Sequence, residues 1–153
     1  MSRKLLFLTL PLFFILLSWS DNDVDNKRTA DEIRISKHLV KLVNDYRHTI
    51  GKPLLIRNAT ADALAAKHAD YMISKKEVNN DNFEVRWETL EFKEHAEEIS
   101  EKVGVDISAE KAMNAYLGSV WLKANVEGDY THTGIAVKKD SDGSYYYTQI
   151  FYK

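Results

Sequence analysis

Gly134-Ile135-Ala136-Val137-Lys138-Lys139, then Asp140-Ser141-Asp142-Gly143, then Ser144-Tyr145-Tyr146-Tyr147-Thr148-Gln149-Ile150-Phe151 is the stretch on which the fold turns. Tyr145, Tyr147, Gln149 and Phe151 alternate with Tyr146, Thr148, Ile150 and Tyr152, and aromatic and β-branched residues suit a pleated strand. The polar Asp-Ser-Asp-Gly between the two runs supplies a turn. A period of two on both sides of it predicts an antiparallel hairpin. The tyrosines could form an exposed aromatic binding face, but covering the sheet is the simpler use of one row.

Upstream, the period lengthens to that of a helix. Ile35, Leu39, Leu42, Val43, Tyr46 and Ile50 make one apolar stripe, which Gly51 and Pro53 stop. Thr29-Ala30-Asp31-Glu32 fits a capping box at its start. A second helix is expected from Asn58 or Thr60, with Ala61, Leu64, Ala65, His68, Ala69 and Met72 along one face. A third is expected from Asp106 to about Trp121, capped by Ser108 and carrying Ala109, Ala112, Met113, Tyr116, Leu117 and Val120. Residues 83–103 are ambiguous: Phe83, Val85 and Trp87 alternate, whereas Phe83, Trp87 and Leu90 suit a helix. Helices followed by an antiparallel hairpin argue an α+β domain.

The 153 residues suffice for one domain, and 44% hydrophobic with 29% charged residues is the composition of an ordinary folded core. With no cysteine, disulfides, thiolate metal sites and a cysteine nucleophile are excluded. Twenty-one basic against 23 acidic residues, a net charge of -2, give no nucleic-acid footprint.

The first residues bear on compartment. Arg3 and Lys4 precede an apolar run from Leu5 to Leu17, too short to span a bilayer and laid out like a secretory signal. Ser18 and Ser20 suit cleavage after Ser20. Residues 1–20 are therefore expected to be a signal peptide, 21–30 a polar tether and 31–153 the folded domain. The expected location is exported: periplasmic, cell-envelope or secreted. Membrane contact would come only through an uncleaved signal segment. Leu16-Leu17-Ser18-Trp19-Ser20 is similar to a lipoprotein processing site with Trp19 in place of the lipidated cysteine, so no thioether lipid can form there.

From about residue 35 to 152 the order of motifs resembles the CAP superfamily, the cysteine-rich secretory, antigen 5 and pathogenesis-related-1 group, in its compact bacterial form. Leu42-Val43-Asn44-Asp45-Tyr46-Arg47 with Gly51, Pro53 and Leu54 resembles the family's first helix, in which an apolar residue precedes Asn-x-x-Arg. Leu64 to Met72 resembles its second helix, and Ala96-Glu97-Glu98-Ile99-Ser100 stands where Gly-Glu-Asn-Ile-Ala is usual. Tyr116-Leu117-Gly118-Ser119 is similar to a bacterial Trp-x-x-Ser stretch; Thr133 to Val137 and Tyr146 to Phe151 resemble the closing strands. The resemblance implies a three-layer α-β-α sandwich around a central antiparallel sheet.

It also implies a cleft in which two histidines and one or two acidic residues hold a divalent ion such as zinc. Here those positions fall on Asn80 and Leu122 for the histidines, Glu97 for the first acid and Ser119 for the second. Asn80 offers one weak amide and Leu122 nothing, whereas zinc takes about three or four protein ligands. No metal and no cofactor is expected.

The five histidines do not rebuild the site. His68 sits on the apolar stripe of the second helix as a core histidine with one hydrogen bond. His95 belongs to a solvated cluster with Glu94, Glu97 and Glu98. His132 is expected to face solvent near the cleft mouth, and His38 and His48 to lie on the surface of the first helix. None shows the i, i+4 spacing of a helical zinc site, and no serine sits in a nucleophile elbow. The expected function is a non-catalytic exported binding module for an unknown envelope component or small ligand. The alternatives are a hydrolase of peptide or cell-wall material with Glu97 as acid/base, and a binder of apolar ligands such as sterols or lipids.

Overall fold

The computed structural model describes residues 21–90, 94–104 and 108–153. Helix α1 spans Asp21–Thr49. Gly51, at φ +73°, ends it in the left-handed conformation that glycine adopts without strain. The Thr29–Glu32 box therefore lies inside the helix, and residues 21–30 continue it instead of forming the expected tether. The expected signal segment, with Trp19 and Ser20, lies outside the described residues, as does Asp106.

β1 (Ile56–Arg57) leads into α2 (Ala59–Lys75), where Asn58 caps the helix by accepting from the Ala61 amide at 3.0 Å. The ambiguous stretch resolves into a short helix, α3 (Phe83–Trp87), and a strand, β2 (Ala96–Val103). α4 (Ala109–Gly118) starts at Ser108, whose hydroxyl accepts from the Lys111 amide at 3.2 Å. The single helix expected to reach Trp121 breaks at Ser119. Its backbone is extended, and its hydroxyl caps α5 (Val120–Glu127) by accepting from the Leu122 amide at 3.4 Å. The hairpin follows as β3 (His132–Lys139) and β4 (Tyr145–Tyr152).

The sheet has the order β1-β3-β4-β2, with β4 antiparallel to both neighbours and β1 parallel to β3. On one face α1, α4 and α5 bury Leu39, Val43, Tyr116 and Val126 against Ile99, Ile135, Tyr147 and Phe151. On the other, α2 lays Ala61, Ala65, Ala69 and Met72 against Ala136, Tyr146, Ile150 and Tyr152. This is the expected α-β-α sandwich. Small residues let α2 come close: a Cβ added to Gly134 would stand 2.2 Å from the Ala61 carbonyl carbon. With helices on both faces, Tyr145, Tyr146, Tyr147 and Tyr152 are all buried, so the tyrosine run offers no exposed binding face.

Candidate functional site

The Asn-x-x-Arg signature of α1 performs a structural task. The Asn44 amide grips the Leu55 main chain twice, Nδ2 donating to its carbonyl at 3.0 Å and Oδ1 accepting from its N–H at 2.8 Å. Fully buried Arg47 donates to four carbonyls: Pro53 at 3.0 Å, Val126 at 2.7 Å, Gly128 at 2.9 Å and Tyr130 at 3.1 Å. It thereby seals the end of α5 and fixes the entry into β3. Burial pulls the Arg47 pKa below its ordinary value, and the charge of Asp129 opposes that.

A second buried charged cluster lies beneath α2. Arg86 grips the Glu98 carboxylate with both arms, Nε to Oε2 at 2.9 Å and Nη2 to Oε1 at 2.5 Å. Its remaining arm, Nη1, donates to the Asp81 carbonyl. His68 Nε2 stands 2.7 Å from the Asn79 carbonyl and 3.6 Å from Glu98 Oε1. A carbonyl only accepts, so Nε2 carries the proton and donates. Burial lowers the His68 pKa below its ordinary value, outweighing the Asn79 bond and the Glu98 charge, which raise it. His68 is thus the core histidine expected from its stripe.

The two carbonyls held by this cluster flank Asn80. His68 and Arg86, joined through Glu98, therefore pin the α2–α3 loop that carries Asn80, the expected first histidine position. Asn80 itself is exposed. Strand alternation separates Glu97 from its neighbour. Glu98 turns to the α2 face and the loop, whereas Glu97, opposite Phe151, turns to the face of α1, α4 and α5. There Glu97 lies near Tyr130, whose phenol is pushed up to about 12 by burial and then by the Glu97 charge. Ser119 is occupied as the cap of α5, and Leu122 packs half-buried against the core. Among the described residues that cap is the one hydrogen bond joining two of the four positions.

Three of the remaining histidines also have partners. His95 stacks on Tyr130 with ring centres 5.3 Å apart, and its Nε2 is 3.2 Å from the Tyr130 hydroxyl. It is exposed and tied to a phenol, but the solvated cluster expected around it does not include Glu98, which is buried against Arg86. His132 stacks on Tyr152 and places Nδ1 2.8 Å from the Thr131 hydroxyl. His38 lies 3.5 Å from Glu110, and His48 is exposed.

The donors do not fit the metal that the fold family implies. Leu122 has no donor atom, Asn80 offers a neutral amide, and Ser119 is engaged in a cap. Among the described residues, no three or more His, Asp or Glu are grouped so as to hold a metal ion. Sequence reasoning missed the importance of Arg86 and Glu98. The adjacent Glu97-Glu98 pair at the start of a strand was the available signal, since one of two neighbouring strand residues must turn inward.

The sequence profile of the CAP family, described as the Cysteine-rich secretory protein family, matches residues 40–151. No curated protein matches significantly. Among the solved structures that share the fold are three bacterial proteins. One is an extracellular protein containing a SCP domain from Bacillus anthracis, with a TM-score of 0.74 and 20% identity over 84% of this chain and 43% of that one. Another is an outer surface protein from Borrelia burgdorferi, with a TM-score of 0.67 and 16% identity over 75% of this chain and 89% of that one. A cysteine-rich secretory protein from Staphylococcus aureus gives a TM-score of 0.66 and 15% identity over 80% of this chain and 39% of that one. The chain therefore spans about two-fifths of the Bacillus and Staphylococcus proteins and most of the Borrelia one. The profile over residues 40–151, the three-layer sandwich and the Asn44–Arg47 signature lead to one conclusion: the chain belongs to the CAP family, the Cysteine-rich secretory protein family.

Proposed function

We propose that the chain is an exported, non-catalytic binding module that recognises a component of the cell envelope or extracellular space. The observation that carries this is the loss of donors at the family cleft: Asn80 and Leu122 stand at the histidine positions while the fold around them is kept. His68, which could have supplied chemistry, is committed to holding a loop from inside the core. Next to Ser119 and Leu122, Val120 and Trp121 are 81% and 82% exposed, and solvent-facing aromatic residues serve recognition better than proton transfer. Export rests on the signal-like residues 1–20, and the extracellular and outer-surface relatives support it.

Zinc titration of the folded protein by calorimetry tests the loss of the metal site. The expected result is no stoichiometric binding. One equivalent of zinc bound with micromolar or tighter affinity would overturn it. Mass spectrometry of the native protein checks export, with cleavage after Ser20 as the expected product.

A further inference from the structure

The outer edge of β3 is incompletely covered. β1 pairs only with His132 and Thr133, so beyond them the strand has no neighbouring strand on that side among the described residues. The Asn58 amide donates to the Thr133 carbonyl at 2.9 Å across this edge, and the Asp140–Ser144 bond at 2.8 Å closes the hairpin on the other. Alternation along the ladder then turns the main-chain N–H and C=O of Ile135, Val137 and Lys139 outward. Side chains cover two of these three. The Ile135 N–H donates to Asp62 Oδ1 at 2.8 Å, and Arg57 Nη2 reaches the Ile135 carbonyl at 3.5 Å. The Lys139 N–H donates to Glu32 Oε1 at 2.9 Å. Val137, between them, has no hydrogen bond to its outward N–H or C=O among the described residues.

Val137 forms part of the floor of a groove of about 190 Å³ whose walls include Ile33 and Ser36 of α1 and Ala66 of α2, with Arg57 and Lys138 at its margin. Both cations are already matched, Arg57 by Asp62 at 2.8 Å and Lys138 by Glu32 at 3.6 Å. The groove therefore selects a neutral ligand. Its unmet groups are one amide donor and one amide acceptor on the same residue, the complement of a single peptide residue in extended form. The side-chain covers at Ile135 and Lys139 block longer strand addition, and the volume is below the roughly 300 Å³ of drug-sized pockets. That leaves room for one or two small residues.

We propose that this groove binds a short neutral peptide, one residue of which pairs its N–H and C=O with those of Val137. It shares no lining residue with Asn80, Glu97, Ser119 or Leu122. It therefore stands apart from the cleft and does not depend on how the cleft is used.

The test uses the full chain labelled with 15N and the probe N-acetyl-alanyl-alanine N-methylamide. Before any probe is added, the Val137 amide should exchange with solvent at least tenfold faster than those of Ile135 and Lys139. Equal protection at all three would overturn the premise. Addition of the probe should move the Val137, Ser36 and Ala66 resonances saturably, with roughly millimolar affinity for a ligand of this size, and should slow Val137 exchange several-fold. A fully N-methylated probe, which cannot donate, should lose at least tenfold in affinity. Ala66→Phe, which fills the groove, should abolish binding while leaving the spectrum dispersed. Should that variant fail to fold, the N-methylated probe decides alone. Equal binding of both probes, shifts confined to other residues, no shift at all, or saturation by N-acetylglucosamine in place of the peptide would each overturn the proposal.

Discussion

Glu97 and Glu98 are adjacent in β2, yet one step along the strand gives them different chemistry. Glu98, 5% exposed, is gripped by Arg86 and approached by His68 beneath α2. Glu97 turns to the opposite face, half-buried near Tyr130. On that face two buried tyrosines are treated differently. The Tyr116 and Tyr147 rings pack 5.8 Å apart, and among the described residues neither hydroxyl has a hydrogen-bond partner. Around Glu98 the polar atoms specify one another, so each is costly to remove. Around Tyr147 the ring is what packs, and the hydroxyl contributes little.

The largest effect should come from the charged side of this comparison. Glu98→Ala leaves the buried Arg86 guanidinium without its carboxylate and should cost about 3–5 kcal/mol, read from urea unfolding. A loss below about 1 kcal/mol would mean that water compensates Arg86 and that the cluster is not the rigid element described above.

Gly134→Ala forces a methyl into the backbone of α2 and should cost about 1–3 kcal/mol. Gly118→Ala is its control. Nothing lies within 4 Å of the added Cβ, and the helical setting predicts a gain of up to about 1 kcal/mol. If both substitutions cost the same, close packing of α2 on β3 is not what constrains Gly134.

Acid should separate the faces next. His68 has a folded pKa below its unfolded value near 6.5, so folding favours the neutral ring. Its contribution is fully present above about pH 6.5 and is lost as pH falls from there through the lowered folded value. Chemical denaturation between about pH 5 and 8 should show this slope, and His68→Gln should flatten it. An unchanged slope in the variant would assign the effect to other groups. Smallest of all should be Tyr147→Phe, which removes an unpaired buried hydroxyl and should leave stability unchanged or raise it by up to about 1 kcal/mol. A clear loss in thermal melts would show that the hydroxyl has a partner after all.

The helical stripes, the cap at Ser108 and the hairpin were legible because each depends on residues a few positions apart. β1 was not: Ile56 and Arg57 are strand only because they meet His132 and Thr133. The break at Ser119 was hidden because apolar periodicity continues through it, and the tertiary packing of Leu122 and Val126 against the core rewards a change of direction. Of the site, spacing supplied the expectation of four cleft positions, but it gave no sign of the network that holds Asn80's loop. His68, Arg86 and Glu98 come from two helices and a strand, and nothing in their spacing pairs them.

By itself the sequence determined the α+β class, the CAP resemblance and the absence of cysteine chemistry, all properties of residue identity and short-range period. Only the tertiary structure decided which of two adjacent glutamates enters the charged cluster, that both rows of the tyrosine strand are covered, and that Val137 keeps both its outward N–H and its outward C=O without a partner among the described residues. Those outcomes depend on which face meets which neighbour, and that choice is made by contacts between residues distant in the chain.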